Sequence, residues 1–190
     1  YPDMLENISS CKSPHQMQGA IVKTYLANQE HIAKENIVMV SVMPCTAKKF
    51  EITREDECGA GVPDVDIVIT TNELAKMLKD AEIQLEAMNP NAKFDLPLGF
   101  GTGAAVIFGV TGGVMEAALR TAVEKLTGKD TVLEYTDVRG MNGIKEASVD
   151  VNGTTVKVAV VSGLANANQL LTAIKNGTAD YQFVEVMACP

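Results

Sequence analysis

Cys45 stands at the end of an apolar run, directly after Pro44, in the stretch MPCTAKKFE. Lys48 and Lys49 follow it closely. Cationic side chains beside a thiol favour the thiolate, which is the form that attacks a substrate or binds a metal. The ends of strands are also where open α/β proteins build their sites. The stretch therefore predicts that Cys45 is a ligand, a nucleophile or a buried thiol, and leaves these alternatives open.

Cys189, near the other end of the chain, has surroundings similar to those of Cys45. Each cysteine follows an apolar, strand-like run, lies beside a proline and comes two residues after a methionine, Met43 or Met187. If the two strands are parallel neighbours, their ends bring both thiols to one edge of a sheet. Two thiolates with soft methionine side chains around them suit a soft metal or an iron–sulfur cluster. Two buried, unreactive cysteines are the alternative.

The remaining lysine and cysteine side chains allow plainer interpretations. We expect Lys49 to belong to a solvated charged turn, whereas Lys48, one turn past Cys45, could direct its charge at an anionic ligand. We expect Cys11 and Cys58 to be small, buried side chains. The chain has no CxxC motif, so a zinc ribbon is not indicated.

The stretch SSCKSPHQMQGA at 9–20 has the pattern of a helix start. Ser13 is a suitable N-cap and Pro14 suits the first helical position. The N–H groups at the start of a helix bind anions, so this stretch is a second candidate for a site. His15 by itself would be a surface or core residue more often than a ligand.

The hydrophobic pattern predicts alternating strands and helices. Continuous apolar runs indicate buried strands, Asn152-Gly153 indicates a hairpin turn, and apolar residues at helical spacing indicate helices that end at glycine. The predicted elements are a strand at 36–44, a strand and a helix capped by Thr71 or Asn72 at 64–81, a helix within 101–129, a strand at 132–140, a hairpin at 147–161, a helix at 166–177 and a strand at 181–190, with 82–100 the least structured segment. We therefore predict an α/β fold with a mostly parallel sheet flanked by helices and an antiparallel β-hairpin near residues 147–161.

Composition and charge argue against several classes of function. The net charge of −8 disfavours a nucleic-acid partner, and no apolar run is long enough for a membrane span. No signal-peptide pattern is present, so we expect the cytoplasm, where thiols stay reduced. The glycine-rich GFGTGA at 99–104 lacks the strand, helix and acidic residue of a dinucleotide site. The first residue is Tyr1 rather than methionine, which favours a fragment or a processed product.

Five stretches together resemble the catalytic, H-cluster domain of the large subunit of [FeFe]-hydrogenases. MPCTAKKFE at 43–51 is similar to the second cluster motif of that family, MPCTxKKxE, and FVEVMACP at 183–190 is similar to the opening of its third. SSCKSPHQM at 9–17, IFGVTGGVMEAALRTA at 107–122 and VRGMNGIKEA at 138–147 also resemble family sequence in the same order. The resemblance implies an iron-only hydrogenase-like fold and a single two-lobed H-cluster domain fragment over residues 1–190.

The resemblance implies an oxidoreductase of hydrogen metabolism. Members of the family catalyse reversible H2 oxidation and proton reduction at the H-cluster, a [4Fe–4S] cubane joined by a cysteine to a two-iron subcluster with CO, cyanide and a bridging dithiolate amine. Electrons would be exchanged through iron–sulfur clusters with ferredoxin or another redox partner. Cofactor maturation proteins would be further partners, and an anaerobic cytoplasm would be the setting.

The resemblance also implies roles for residues near the two cysteines. Cys45 and Cys189 would be metal ligands of the cubane. Lys48 would hydrogen-bond one cyanide of the two-iron unit. Ser13 and Pro14, at the helix start, would meet the other cyanide through a hydroxyl and a backbone N–H.

Other residues would surround the same cofactor. Met43, Phe108 and Met187 would pack around the carbonyl ligands and keep the site dry. Ser9 would act in catalysis as a proton relay. His15 stands where many relatives have glutamine, close to the two-iron unit. The resemblance implies that this difference would tune the two-iron unit.

The chain departs from the family pattern at both ends. The motif TSCCP, expected just before Tyr1, and the Gly-Gly-Cys expected after Pro190 are absent from these 190 residues. Two of the four cubane ligands are therefore missing, and we expect the chain alone to fold poorly, to hold an incomplete cofactor and to be inactive. A hydrogen-sensing regulatory relative and a non-catalytic relative of the iron–sulfur assembly type are the alternatives.

Overall fold

The computed structural model describes residues 1–132, 134–138 and 142–187. The chain divides into two compact units, Tyr1–Gly99 and Phe100–Pro190. Each unit contains both helices and strands, so the predicted α/β class is confirmed.

The first unit contains one pair of parallel strands, β1 (Val40–Met43) and β2 (Ile67–Thr70). Its α-helices are α1 (Pro14–Ile21), α2 (Ala27–Gln29), α3 (Ala47–Glu51) and α4 (Thr71–Asp80), with a π-helical stretch Val22–Leu26 between α1 and α2, and 3₁₀ turns at Pro2–Asn7, Lys34–Asn36 and Leu85–Ala87. Since that last turn is the one regular element described within 82–100, the expectation of little structure there is confirmed.

Strand β1 is shorter and more exposed than its apolar sequence predicted. It begins at Val40 rather than near residue 36, after the 3₁₀ turn Lys34–Asn36. Val40 and Val42 on one face are 49% and 42% exposed, whereas Ser41 and Met43 on the other face are half-buried. The prediction of a strand buried on both faces was wrong, because β1 belongs to a sheet of only two strands in the described chain.

Local capping rules located the helix ends to within one or two residues. Helix α4 is capped by Thr70, whose hydroxyl accepts from the Glu73 N–H at 3.2 Å while the Glu73 carboxylate accepts from the Thr70 N–H. The cap is thus one residue before Thr71 and two before Asn72, the predicted positions, because Thr70 still has the extended backbone of β2.

In the described residues of the second unit, four strands form a sheet in the order β3-β4-β5-β6, with helices packed on it. Its elements are α5 (Gly103–Ile107), α6 (Gly113–Thr127), β3 (Thr136–Asp137), β4 (Ile144–Val151), β5 (Thr154–Ser162), α7 (Leu164–Lys175) and β6 (Phe183–Met187). The strand predicted at 132–140 is reduced to the two residues of β3, and positions 133, 139 and 140 lie outside the described residues.

The hairpin predicted near 147–161 is confirmed as β4 and β5. Val151 lies opposite Thr154, and the two residues between them, Asn152 and Gly153, have φ angles of 52° and 84°. Positive φ at both turn positions matches the right-handed twist of the strands, which is why Asn-Gly is favoured there. Strands β5 and β6 pair in parallel, and α7 connects them.

Strand β5 is the centre of the core of the second unit. Val158 and Val160 pack with Met115 and Val123 of α6, while Ala159 and Val161 pack with residues of α7. Alternate side chains thus face helices on opposite sides of the sheet, which explains the continuous apolar run VAVV.

In the described part of the chain, each strand that precedes a candidate ligand cysteine pairs with a strand of its own unit. Strand β1 pairs with β2 in the first unit, and β6 pairs with β5 in the second. The condition stated for the sequence, that these two strands are parallel neighbours, is therefore not met by the strand pairs of the described residues. A strand's own sequence does not identify its partner, and here β5 occupies the parallel position beside β6. Within the described chain, no helix has the length and apolar character needed to cross a membrane.

Candidate functional site

The corner that follows β1 carries the first candidate residues. Pro44, Cys45 and Thr46 connect β1 to α3, and the Cys45 side chain is half-buried. Lys48 lies in the first turn of α3 and Glu51 is its last residue, so the two side chains share one face of this short helix. Lys48 Nζ donates to Glu51 Oε2 at 2.6 Å.

The start of α1 contributes two more side chains to this corner. Ser13 is the N-cap and Pro14 follows it, as predicted, but the Ser13 hydroxyl makes no cap hydrogen bond. It donates instead to Glu51 Oε1. His15, buried in the first turn, places Nε2 2.7 Å from the same Glu51 oxygen and Nδ1 3.0 Å from Ser41 Oγ of β1.

Glu51 is therefore the centre of a set of hydrogen bonds that consists of side chains only. We name Ser13, His15, Lys48 and Glu51 the Glu51 cluster. Burial raises the pKa of the Glu51 carboxyl, but the hydrogen bonds from the three donors outweigh burial and lower the pKa to about 2. The group is a carboxylate at neutral pH, and since a carboxylate oxygen only accepts, Nε2 of His15 carries the proton that faces it.

A second carboxylate in the first unit is bound differently. Asp64, fully buried, accepts from Lys12 Nζ at 2.7 Å and from the backbone N–H groups of Gly59 and Ala60 at 3.0 and 3.2 Å. Lys12 also lies 3.5 Å from Glu57. Burial raises the pKa of Asp64, but the lysine and the two N–H groups outweigh it and lower this pKa. We name Lys12, Gly59, Ala60 and Asp64 the Asp64 cluster.

The neighbouring lysine of the motif lies outside the Glu51 cluster. Lys49 Nζ lies 2.5 Å from Glu73 Oε1 of α4, and these side chains are 40% and 46% exposed. The two consecutive lysines therefore meet different carboxylates, Lys48 in a half-buried corner and Lys49 at the surface.

Three residues that the sequence analysis discussed do not belong to the Glu51 cluster, namely Ser9, Cys11 and Cys58. Ser9 is exposed, and its Oγ accepts from the Cys11 N–H at 3.1 Å. Cys11 and Cys58 are both exposed, so the expectation that they are buried was wrong. Each lies in an irregular segment rather than on the apolar face of a strand or helix, and the Cys58 thiol donates to the Glu55 carbonyl at 3.0 Å.

The remaining predicted residues lie at the ends of secondary-structure elements of the two units. Met43, the last residue of β1, is half-buried. In the second unit, Phe108 follows α5 and is 41% exposed, and Met187 ends β6 and packs against the core cluster of Met115 and Val158. Cys189 lies outside the described residues.

Sequence reasoning missed Glu51 and Ser41. Glu51 was within the quoted motif, three residues after Lys48, and this spacing on a helix was a usable signal for an ion pair. Ser41 was the one polar side chain between the valines of β1, and its hydroxyl meets His15.

The donors in this corner suit a group that brings its own anionic ligands. No three His, Cys, Asp or Glu side chains of the described residues lie close enough to hold a metal ion among themselves. What the corner offers is one thiol, from Cys45, and nearby N–H and O–H donors on α1 and α3. A soft thiol with cationic and hydroxyl donors fits an iron cofactor with anionic ligands better than a bare ion.

The whole chain is similar to iron hydrogenases. The family described as "Iron only hydrogenase large subunit, C-terminal domain" matches residues 1–190. The NADP-reducing hydrogenase subunit HndD of Solidesulfovibrio fructosivorans is 52% identical over 191 residues, which cover 100% of this chain and 32% of the relative. The periplasmic [Fe] hydrogenase large subunit of Nitratidesulfovibrio vulgaris is 48% identical, with 100% of this chain and 45% of the relative covered.

A solved structure and a more distant relative complete the comparison. HydA(deltaEFG), a structure concerned with stepwise [FeFe]-hydrogenase H-cluster assembly, has a TM-score of 0.83 and 43% identity, and covers 100% of this chain and 55% of that chain. A cytosolic iron-sulfur assembly component of Pongo abelii is 32% identical over 98% of this chain and 40% of its own length. The chain thus spans between a third and just over half of the length of these proteins.

Proposed function

Since this chain belongs to the family of iron-only hydrogenase large subunits, C-terminal domain, we propose that it is part of the H-cluster domain of an [FeFe]-hydrogenase. The whole protein would catalyse reversible H2 oxidation and proton reduction. When bound, the [4Fe–4S] cubane and two-iron subcluster, with its CO, cyanide and dithiolate amine ligands, would supply the redox chemistry and the hydrogen-binding iron. The protein would supply position, hydrogen bonds and a dry environment.

One observation carries this proposal furthest. Lys48 of α3 and Ser13 at the start of α1 both donate to the Glu51 carboxylate, and α3 begins directly after the corner that holds Cys45. In our assignment Cys45 and Cys189 ligate the cubane, and Lys48 donates to a cyanide. An ammonium has three N–H donors, so Lys48 can bind Glu51 and a second acceptor together.

Ser13 and Pro14 are proposed to meet the other cyanide at the start of α1. The Ser13 hydroxyl has a single O–H, which goes to Glu51, so an incoming acceptor must displace that bond or use a backbone N–H. Met43, Phe108 and Met187 are proposed to cover the carbonyl ligands. Ser9 is proposed as a proton relay, which its exposed hydroxyl permits.

The same assignment has consequences for the domain organisation, the partners and the location of the protein. We propose that the two compact units are the two lobes of a single H-cluster domain fragment over residues 1–190. Ferredoxin or another iron–sulfur protein would exchange electrons, and maturation proteins would insert the two-iron unit. An anaerobic cytoplasm is our proposed location. The polypeptide of these 190 residues, with only Cys45 and Cys189 as cubane ligands, would be inactive by itself.

A second candidate is a non-catalytic role in iron–sulfur cluster assembly, which the similarity to the Pongo abelii component favours. The higher identity to hydrogenase subunits argues for the enzyme. So does the Lys48 corner, because a cluster-assembly protein has no use for donors to cyanide. A hydrogen-sensing relative would share the pocket and differ in turnover.

The infrared spectrum of the parent protein tests the proposal. The longest parent polypeptide that carries this chain would be loaded anaerobically with the cubane and a two-iron complex. We expect the stretching bands of iron-bound CO and cyanide, and their loss in Cys45→Ser. Cys58→Ser, at an exposed cysteine, is the matched control and should keep them. A parent protein that takes up a cubane but shows no such bands would contradict the proposal and favour the assembly role.

A further inference from the structure

Glu51 has no role in the assignment above, although Ser13, His15 and Lys48 all meet it. Its Oε1 accepts from Ser13 and His15, and its Oε2 accepts from Lys48. These partners come from the cap of α1, the first turn of α1 and the face of α3. This carboxylate therefore connects α1 with α3.

The hydrogen bonds form a continuous path from the sheet to the lysine. Ser41 of β1 meets Nδ1 of His15, Nε2 of His15 meets Glu51, and Glu51 meets Lys48. His15 is 6% exposed, so its ring is fixed by packing as well as by these bonds. The Glu51 and Lys48 side chains are 20% and 26% exposed, so the path ends at a partly accessible ammonium group.

The lysine needs such an anchor. Its side chain is a flexible four-carbon stem that carries a point charge, and by itself it holds no single geometry. A hydrogen bond to a carboxylate that is held from the opposite side restricts the ammonium to a narrow region. The carboxylate also balances the charge of the lysine, so the pocket does not become strongly cationic.

We propose that Glu51 is a positioning residue that holds the Lys48 ammonium in the place from which it binds an anionic ligand of the two-iron unit. The inference rests on the proposed function for the identity of the ligand. The position of Lys48 itself rests on the contacts of the Glu51 cluster alone. Ser13 and His15 act through Glu51, because they fix the carboxylate that fixes the lysine.

The first test measures the lysine without any cofactor. The cofactor-free parent protein is treated briefly with an amine-acylating reagent, and modification of Lys48 and Lys49 is quantified by mass spectrometry. In Glu51→Gln we expect modification of Lys48 to rise roughly tenfold, since a hydrogen bond between charged groups is lost, while that of Lys49 stays unchanged. Glu73→Gln is the matched control, because the same substitution removes the carboxylate partner of Lys49.

A second variant, Glu51→Asp, keeps the proposal testable if Glu51→Gln does not fold. Glu51→Asp keeps the negative charge but withdraws the carboxylate by one methylene group, so modification of Lys48 should rise by less than in Glu51→Gln. Wild-type modification of Lys48 in a folded Glu51→Gln or Glu51→Asp protein would overturn the proposal.

The second test uses the loaded parent protein and its infrared bands. Glu51→Gln should shift and broaden a cyanide band, whereas Glu73→Gln should leave all bands at their wild-type positions. Equal spectra for the two variants would overturn the claim that Glu51 acts on the cofactor through Lys48. If the wild-type protein shows no cyanide bands, the proposed function fails, and the acylation result still decides whether Glu51 positions the lysine.

Discussion

The Glu51 and Asp64 clusters solve the same electrostatic problem in different ways. Each binds a carboxylate with a lysine, and each takes donors from the short segment 12–15. Asp64 is fully buried, and two of its donors are backbone N–H groups of the adjacent loop. Glu51 is partly exposed, and all of its donors are side chains.

The difference lies in what each carboxylate organises. Backbone donors belong to the path of the chain, so Asp64 fixes the shape of the loop that contains Gly59 and Ala60. Side-chain donors can serve another acceptor without refolding the chain, so Glu51 organises groups that remain usable for a ligand. Segment 12–15 thus contributes to both clusters. Lys12 stabilises the fold through Asp64, whereas Ser13 and His15 bind Glu51 at the candidate site.

Asp64→Asn should have the largest effect on stability. The substitution removes the buried charge that pairs with Lys12. The half-buried lysine then keeps only the Glu57 carboxylate of the two that it meets. We expect the free energy of unfolding to fall by roughly 2–4 kcal/mol. Urea denaturation of the parent protein, followed by circular dichroism, measures the change.

The same variant also separates the two clusters. Acylation of Lys48 in native conditions should be unaffected by Asp64→Asn, because the hydrogen bonds of Asp64 and those of Glu51 have no donor in common. A loss of stability no larger than that of Glu51→Gln would mean that the backbone donors do not distinguish the two carboxylates.

Glu51→Gln should have an intermediate effect that depends on pH. The pKa of Glu51 is lowered from 4.5 to about 2, so the folded state prefers the carboxylate. Its contribution is fully present above about 4.5 and is lost as the pH falls through about 2. At neutral pH we expect a cost of roughly 1–3 kcal/mol for the variant.

The pH profile of the difference provides the measurement. Urea midpoints of wild type and Glu51→Gln should differ most near neutral pH and converge as the pH approaches 2. Wild-type stability will itself fall in acid, since Asp64 also has a lowered pKa, and that fall should be common to both proteins. A difference that stays constant across the range would show that ionised Glu51 is not what stabilises the corner.

Features of the fold that depend on neighbouring residues could be predicted from the sequence. Ser13 and Pro14 were recognised as a helix start, and the Asn152-Gly153 turn and the hairpin followed from backbone preference. Such features depend on a few consecutive residues, so the sequence displays them directly. The motif MPCTAKKFE likewise marks Cys45 and Lys48 as candidate site residues from sequence alone.

Long-range contacts could not be predicted in the same way. The N-cap role of Ser13 suggested a hydroxyl that binds its own helix, yet it donates to Glu51, 38 residues later. Cys11 and Cys58 were expected inside on residue type alone, although irregular segments leave both exposed. The pairing of β1 and β6 with other strands likewise depends on the whole unit. Glu51 was not predicted as a site residue because a glutamate near lysines is common in sequences. It becomes distinctive only in the structure, where three side-chain donors meet it.

Lys48→Ala and Lys49→Ala should have the smallest effects on stability and the clearest difference in function. Each removes one partly exposed ion pair, which typically contributes no more than about 1 kcal/mol, and Glu51 keeps its bonds to Ser13 and His15. In the loaded parent protein, however, Lys48→Ala should impair retention of the two-iron unit, because the cation beside Cys45 is lost, while Lys49→Ala should retain it. Iron content and the intensity of the cyanide bands measure the difference. Equal retention in both variants would remove Lys48 from the site and leave the Glu51 cluster, like the Asp64 cluster, with a purely structural role.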